Sequence, residues 1–148
     1  MKVTDKPIIV EQTFDSPINQ VWDALTNIDQ MRQWYFNNIH DFKPQVGFKT
    51  QFIVRSEERT FPHIWEVVEV EHLKMIKYTW QYDGYLGKST SAFELSDEDG
   101  KTKLTLTIEI LEDFPEDIPE FRLESCIGGW DYFINDRLKN FLNTIDGR

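Results

Sequence analysis

Residues 117–145, DIPEFRLESCIGGWDYFINDRLKNFLNTI, decide the fold. Within them Ile127, Trp130, Ile134, Leu138, Phe141 and Ile145 recur three or four positions apart, the period of one helical face. Asp131, Asp136, Arg137 and Lys139 occupy much of the remaining surface. Asp117 and Glu120 have the spacing of a capping box, and Pro119 stands in the first turn, where a missing N–H is tolerated. Gly147 supplies a stop. The stretch predicts one long amphipathic helix. Burying six such side chains contributes at most roughly 10–15 kcal/mol before conformational entropy is subtracted. The helix therefore needs a broad apolar surface to lie on.

Gly128 and Gly129 interrupt the pattern. Two interior glycines cost about 1.5–2 kcal/mol relative to alanine. Two explanations stand: close packing against a strand or a bend, or space left for a ligand beneath Trp130.

The chain upstream supplies the surface. Ile8 to Phe14 alternates, with Ile8, Val10, Gln12 and Phe14 on one face. Asp15-Ser16-Pro17 opens a helix, with Ser16 as N-cap, Pro17 at the first helical position, and Val21, Trp22 and Leu25 as its apolar stripe. A second short helix covers Asp29 to Trp34. The segment from Trp34 to Pro44 is irregular and aromatic (Trp34, Tyr35, Phe36, Phe42), a lid over a core or the rim of a pocket. From Gly47 the period becomes two. Phe48, Thr50, Phe52 and Val54 share one face; Phe61, His63, Trp65 and Val67 follow; then Ile76, Tyr78, Trp80 and Tyr82. Ser89, Ser91, Phe93 and Leu95 form the next run, and Leu104, Leu106, Ile108 and Ile110 the last. Turn residues such as Asp83-Gly84 separate these runs. Short connections between alternating strands imply an antiparallel meander with one dry face.

The order is strand, two short helices, five strands, long helix. It predicts an α+β helix-grip fold over residues 1–148 as one domain: a curved antiparallel sheet of about six strands wrapped on the C-terminal helix. Its inner face carries Phe52, Val54, Trp65, Tyr78, Trp80, Tyr82, Phe93 and Leu106. So many large aromatics suggest a lined cavity between sheet and helix. Trp34, His63, Ser91, Gly129, Trp130 and Phe133 complete the candidate ligand-binding set. Among the inward polar groups, the hydroxyls of Tyr78, Tyr82, Ser89 and Ser91 need partners. They bond one another or water, or they fix a ligand's polar end.

Composition narrows the partners. The net charge is −10 at pH 7 over 148 residues, which argues against nucleic acid, since phosphate binding needs a basic face. No apolar run is long enough to span a membrane, and residues 1–10 lack the apolar core of a signal peptide. The single Cys126 fits a reducing cytoplasm. His40, His63 and His72 lack the paired spacing of a zinc site, so neither metal nor other cofactor is expected. Cys126 reads as a small apolar filler, Arg55 as solvent-exposed, and the acidic clusters at the turns as solvated surface. An exposed aromatic loop around Trp34 to Phe42 would gain from being covered, which leaves monomer and homodimer both open.

Several pieces resemble the SRPBCC superfamily, which holds START-like, birch-pollen-allergen-like and polyketide-cyclase proteins. They are Phe14-Asp15-Ser16-Pro17-Ile18-Asn19-Gln20-Val21-Trp22-Asp23-Ala24-Leu25, Trp34, and Val46-Gly47-Phe48. Further on stand Trp65-Glu66-Val67-Val68-Glu69-Val70, Tyr78-Thr79-Trp80, Thr102-Lys103-Leu104-Thr105-Leu106 and Gly128-Gly129-Trp130. Within the superfamily the chain is most similar to bacterial relatives of the heat-shock chaperone ATPase activator's C-terminal domain. The resemblance implies the fold and no shared catalytic set. Where relatives often carry a His- and Gly-rich turn after the last strand, this chain has Glu109-Ile110-Leu111-Glu112-Asp113-Phe114.

Three functions follow as expectations. The first is non-enzymatic binding of a hydrophobic or aromatic small molecule or lipid in the cavity. The second is a cyclase- or hydrolase-like enzyme, for which His63, Tyr78 and Glu66 are the acid–base candidates. The third, implied by the resemblance alone, is an interaction module for a heat-shock chaperone.

Overall fold

The computed structural model describes residues 1–145. Strand β1 (Ile8–Phe14) is followed by helices α1 (Ile18–Thr26) and α2 (Ile28–Trp34). Five strands come next: β2 (Lys49–Ser56), β3 (Arg59–Glu71), β4 (Met75–Tyr82), β5 (Lys88–Glu98) and β6 (Lys101–Glu112). A 3-10 turn (Pro119–Phe121) leads into the C-terminal helix. That helix is α3 (Leu123–Asp131), a π-helical segment (Tyr132–Leu138) and α4 (Lys139–Ile145) in unbroken succession.

The strands form one antiparallel sheet in the order β1-β6-β5-β4-β3-β2. The meander is consecutive, and β1 returns to pair with β6, Ile8 opposite Ile108 and Phe14 opposite Thr102. Bulges at Val68 in β3 and Leu111 in β6 shift the register. Each extra residue bends its strand and increases local twist, which curls the sheet around its dry face. The alternation holds in burial: on β3 Phe61, His63, Trp65 and Val67 are buried, with more accessible residues between them. The result is the α+β helix-grip fold, a curved six-stranded sheet against a long C-terminal helix.

The ends of the helices differ from the sequence-based expectation. α1 starts one residue later, at Ile18, with Pro17 at the capping position; its carbonyl accepts the N–H groups of Gln20 and Val21. α2 starts one residue earlier, because the Asn27 side chain accepts the Gln30 N–H and caps it. The long helix starts at Leu123 rather than Asp117. The capping box of Asp117 and Glu120 does not form: Glu120 pairs with Arg59 at 3.3 Å instead. Phe121 holds this turn against Phe61 and Phe114, in a small cluster apart from the main core. Gly147 lies outside the described residues.

The buried stripe of the long helix is Trp130, Ile134, Leu138 and Leu142, each four residues from the last. Ile127 and Ile145, expected on that stripe, are 45% and 43% exposed, and Phe141 is half-buried. Four α-helical residues turn about 40° more than a full circle. The wider π-helical segment turns less per residue, so it keeps positions four apart in line. The glycine pair does not pack against a strand: a Cβ at Gly128 or Gly129 would meet nothing within 4 Å. Both glycines are exposed, Gly129 at the rim of a cavity.

The aromatic segment after α2 is a plug, not an exposed surface. Trp34, Tyr35, Ile39 and Phe42 are buried. The Tyr35 ring stacks on Trp34 at 4.5 Å and on Trp65 at 5.3 Å. This burial removes the reason given above for a dimer.

Candidate functional site

Beneath Phe36 and Trp130 lies a cavity of about 150 Å³ that opens to the surface. Its walls come from separate parts of the chain. β3 and β4 contribute His63, Trp80 and Tyr82. The C-terminal helix contributes Cys126, Gly129, Trp130 and Phe133. The loop after α2 supplies Phe36, while Met1 and Glu120 stand at the same opening. The sheet brings its share together by period and register: on β3 His63 faces inward, and it pairs across the ladder with Tyr82, two positions along from Trp80.

The walls are aromatic and mutually braced. Trp130 meets Trp80 edge-on at 5.4 Å, and Phe133 meets Phe36 edge-on at 5.0 Å. Trp80 Nε1 donates to Tyr82 Oη at 2.8 Å. The Tyr82 hydroxyl thus keeps its own proton for a further acceptor. Burial pushes the Tyr82 phenol well above its ordinary range, so it stays protonated at neutral pH.

His63 is the polar centre. Rings of Phe36, Phe52, Trp80 and Tyr82 surround it at 4.7–5.3 Å. Burial lowers its pKa to about 4, against a smaller opposing effect of its hydrogen bond to the Phe61 carbonyl. That bond, Nδ1 to the carbonyl at 2.9 Å, requires the proton on Nδ1. Nε2 is then an unprotonated acceptor, and it makes no hydrogen bond among the described residues. Cys126, half-buried in the same wall, has its thiol pushed up to about 11 by burial, while the N-terminal ammonium and Trp130 act in the opposite sense. It is a neutral thiol at pH 7 and a poor nucleophile.

The remaining candidates from the sequence lie elsewhere. Trp34, Phe52, Trp65 and Tyr78 are buried in the main core, as are Ser91, Phe93 and Leu106. Trp34 Nε1 donates to the Ala24 carbonyl at 2.7 Å, and the hydroxyls of Tyr78 and Tyr35 bond each other at 3.1 Å. Val54 lines a separate outer cleft. Trp65 Nε1 and Ser91 Oγ are buried without a hydrogen-bond partner among the described residues. Glu66 points away from the cavity and meets Lys49 at 3.9 Å.

Sequence reasoning read Cys126 only as a small apolar filler, left Phe36 out of the candidate ligand-binding set, and missed Met1 and Glu120 as cavity residues altogether. Met1 is held there by two backbone bonds: its amino group donates to the Phe121 carbonyl, and its carbonyl accepts the Phe114 N–H. Neither residue has a periodicity to announce it. Among the described residues no cluster of three His, Cys, Asp or Glu could hold a metal ion, and no helix is long and apolar enough to cross a membrane.

Chemically, the cavity offers one ring-sized aromatic space, an acceptor at His63 Nε2 and a donor at Tyr82. Such a site suits a small planar molecule with one polar group. Acid–base work at neutral pH is poorly served, because both buried groups titrate far from 7.

A curved sheet gripping a long helix is the fold of the SRPBCC superfamily, to which the matching family model assigns the chain. Within it the chain belongs to the family described as Activator of Hsp90 ATPase homolog 1-like protein, whose model matches residues 15–143. Similar solved structures include protein CV1439 from Chromobacterium violaceum, at 18% identity and a TM-score of 0.75, with 92% of this chain and 96% of that one covered. Protein MLL2253 from Mesorhizobium loti is 25% identical, with a TM-score of 0.72 over 94% of this chain and 98% of that one. CalU16 from Micromonospora echinospora is 22% identical, with a TM-score of 0.67 over 96% of this chain and 79% of that one. Among curated proteins no relative matches.

Proposed function

We propose that this chain binds a small, single-ring aromatic molecule carrying a hydroxyl or similar donor, in the cavity between sheet and C-terminal helix. The observation that carries this reading is the cavity itself: aromatic walls around one unprotonated ring nitrogen, with about 150 Å³ of space. Sites for drug-sized ligands run to about 300–1,000 Å³, whereas an apolar cavity of about 150 Å³ holds benzene. Of the ligand classes expected from the sequence, a one-ring compound fits this space as it stands. A sterol, a flavonoid or a whole lipid chain requires the walls to move. The free thiol of Cys126 fits a reducing cytoplasm as the place of action.

Thermal unfolding against a ligand panel tests the reading. A ligand at a hundred times its dissociation constant, bound only by the folded state, adds about 2.7 kcal/mol of stability. Single-ring phenols should raise the melting temperature, while palmitate, cholesterol and quercetin should leave it within error. A rise with the large ligands and none with the phenols would reverse the assignment.

A further inference from the structure

Phe36 lines two recesses. One side of it closes the aromatic cavity; the other belongs to a cleft of about 510 Å³ between the 36–38 loop, β2 and the π-helical segment. Three guanidinium groups, from Arg32, Arg55 and Arg137, line this cleft, and no carboxylate does. That reverses the balance of the whole chain, in which 26 acidic residues face 16 basic ones. Two of the three are held in place by main-chain carbonyls rather than neutralised. Arg32 Nε donates to the Ile39 carbonyl at 2.8 Å and Nη2 to that of His40 at 3.0 Å. Arg137 Nη2 donates to the Gln33 carbonyl at 2.7 Å. Asp29 approaches Arg32 only at 4.0 Å. Arg55 is exposed and makes no ion pair among the described residues. Beside the cations stand Tyr132 and Ile53, each about half exposed.

We propose that this cleft takes the carboxylate of an amphipathic ligand whose aromatic end occupies the inner cavity, with Phe36 as the partition it passes. The inference rests on the cavity reading above and names the charge that the ligand carries. A guanidinium fork matches a carboxylate in geometry as well as charge, and backbone-anchored guanidiniums lose little freedom on binding it. Tyr132 and Ile53 give the connecting chain an apolar wall. Phe36 is half-buried and comes from a loop, so no strand ladder fixes its backbone, although its ring packs on Phe52, His63 and Phe133. Cavity and cleft joined have the volume of an ordinary small-molecule site.

The test uses two probes of one shape, 4-phenylbutyrate and 4-phenylbutan-1-ol, titrated into the intact protein by calorimetry. The acid should bind about fivefold more tightly than the alcohol at low ionic strength, and the preference should shrink toward parity in about 1 M salt. Arg55→Glu, at an exposed side chain with no bonds to lose, should abolish the preference while the melting temperature holds. Equal binding of the two probes in the unaltered protein overturns the inference and leaves the cavity reading standing, as does a preference that survives Arg55→Glu. Binding of neither probe also overturns the inference, while the cavity reading stands or falls with the phenols.

Discussion

At His63 two demands meet. Alternation on β3 turns the side chain inward, and burial among four aromatic rings disfavours its charge. The hydrogen bond to the Phe61 carbonyl satisfies one nitrogen and fixes the tautomer. The pKa near 4 has a consequence for stability. Above pH 6.5 both folded and unfolded states hold the ring neutral, and His63 adds no pH dependence. As pH falls from 6.5 to about 4, the unfolded chain takes up a proton that the folded state refuses, so stability is lost across that window. The loss is about 3 kcal/mol at most. His63→Gln removes it. Melting curves of the two proteins should keep a constant separation above pH 7 and shift in favour of the variant between pH 6.5 and 4. A separation independent of pH would show that His63 is not held neutral by its surroundings.

At the scale of elements, the strands were legible and the long helix only partly so. A strand declares itself by alternation, and β2, β3 and β6 alternate because one face is dry and the other wet, whereas β5 is buried on both faces from Ser89 to Phe93. The start of the C-terminal helix is decided by tertiary packing. Asp117 and Glu120 carry a local capping signal, yet Phe121 is anchored between Phe61 and Phe114 and Glu120 turns to Arg59. The register of the helix had a readable sign: Trp130, Ile134, Leu138 and Leu142 stand four apart without exception, longer than the α period. Substitution separates the two stripes. Leu142→Ala should cost about 2–4 kcal/mol, as for a fully buried leucine. Ile145→Ala should stay within about 0.5 kcal/mol. Chemical denaturation measures both, and equal costs would contradict the register. The cavity was half legible for the same reason. His63, Trp80, Tyr82, Gly129, Trp130 and Phe133 sit on periodic elements that sequence can place on a face. Met1 and Glu120 arrive through irregular chain, whose path no periodicity fixes.

At the scale of the whole molecule, the interior has more aromatic surface than one cavity uses. Tyr35 enters from the loop after α2 and stacks between Trp34 and Trp65, filling space that a larger ligand would otherwise take. That plug is why the sequence suggested a broad lined cavity and the structure holds a small one. The helix closes the remaining space with Trp130 and Phe133, and leaves the Gly129 position bare at the opening. A Cβ there has no heavy atom within 4 Å, so a side chain can start from that position toward the cavity mouth without a clash at its root. The central claim is therefore tested most directly by titrating p-cresol into the protein and into Gly129→Trp, by calorimetry, with melting curves to confirm that both are folded. Saturable one-to-one binding with a dissociation constant of about 0.1 mM, roughly −5.5 kcal/mol, lost in the folded variant, is the predicted result. Undiminished binding to a folded Gly129→Trp, or no binding to either protein, would contradict it.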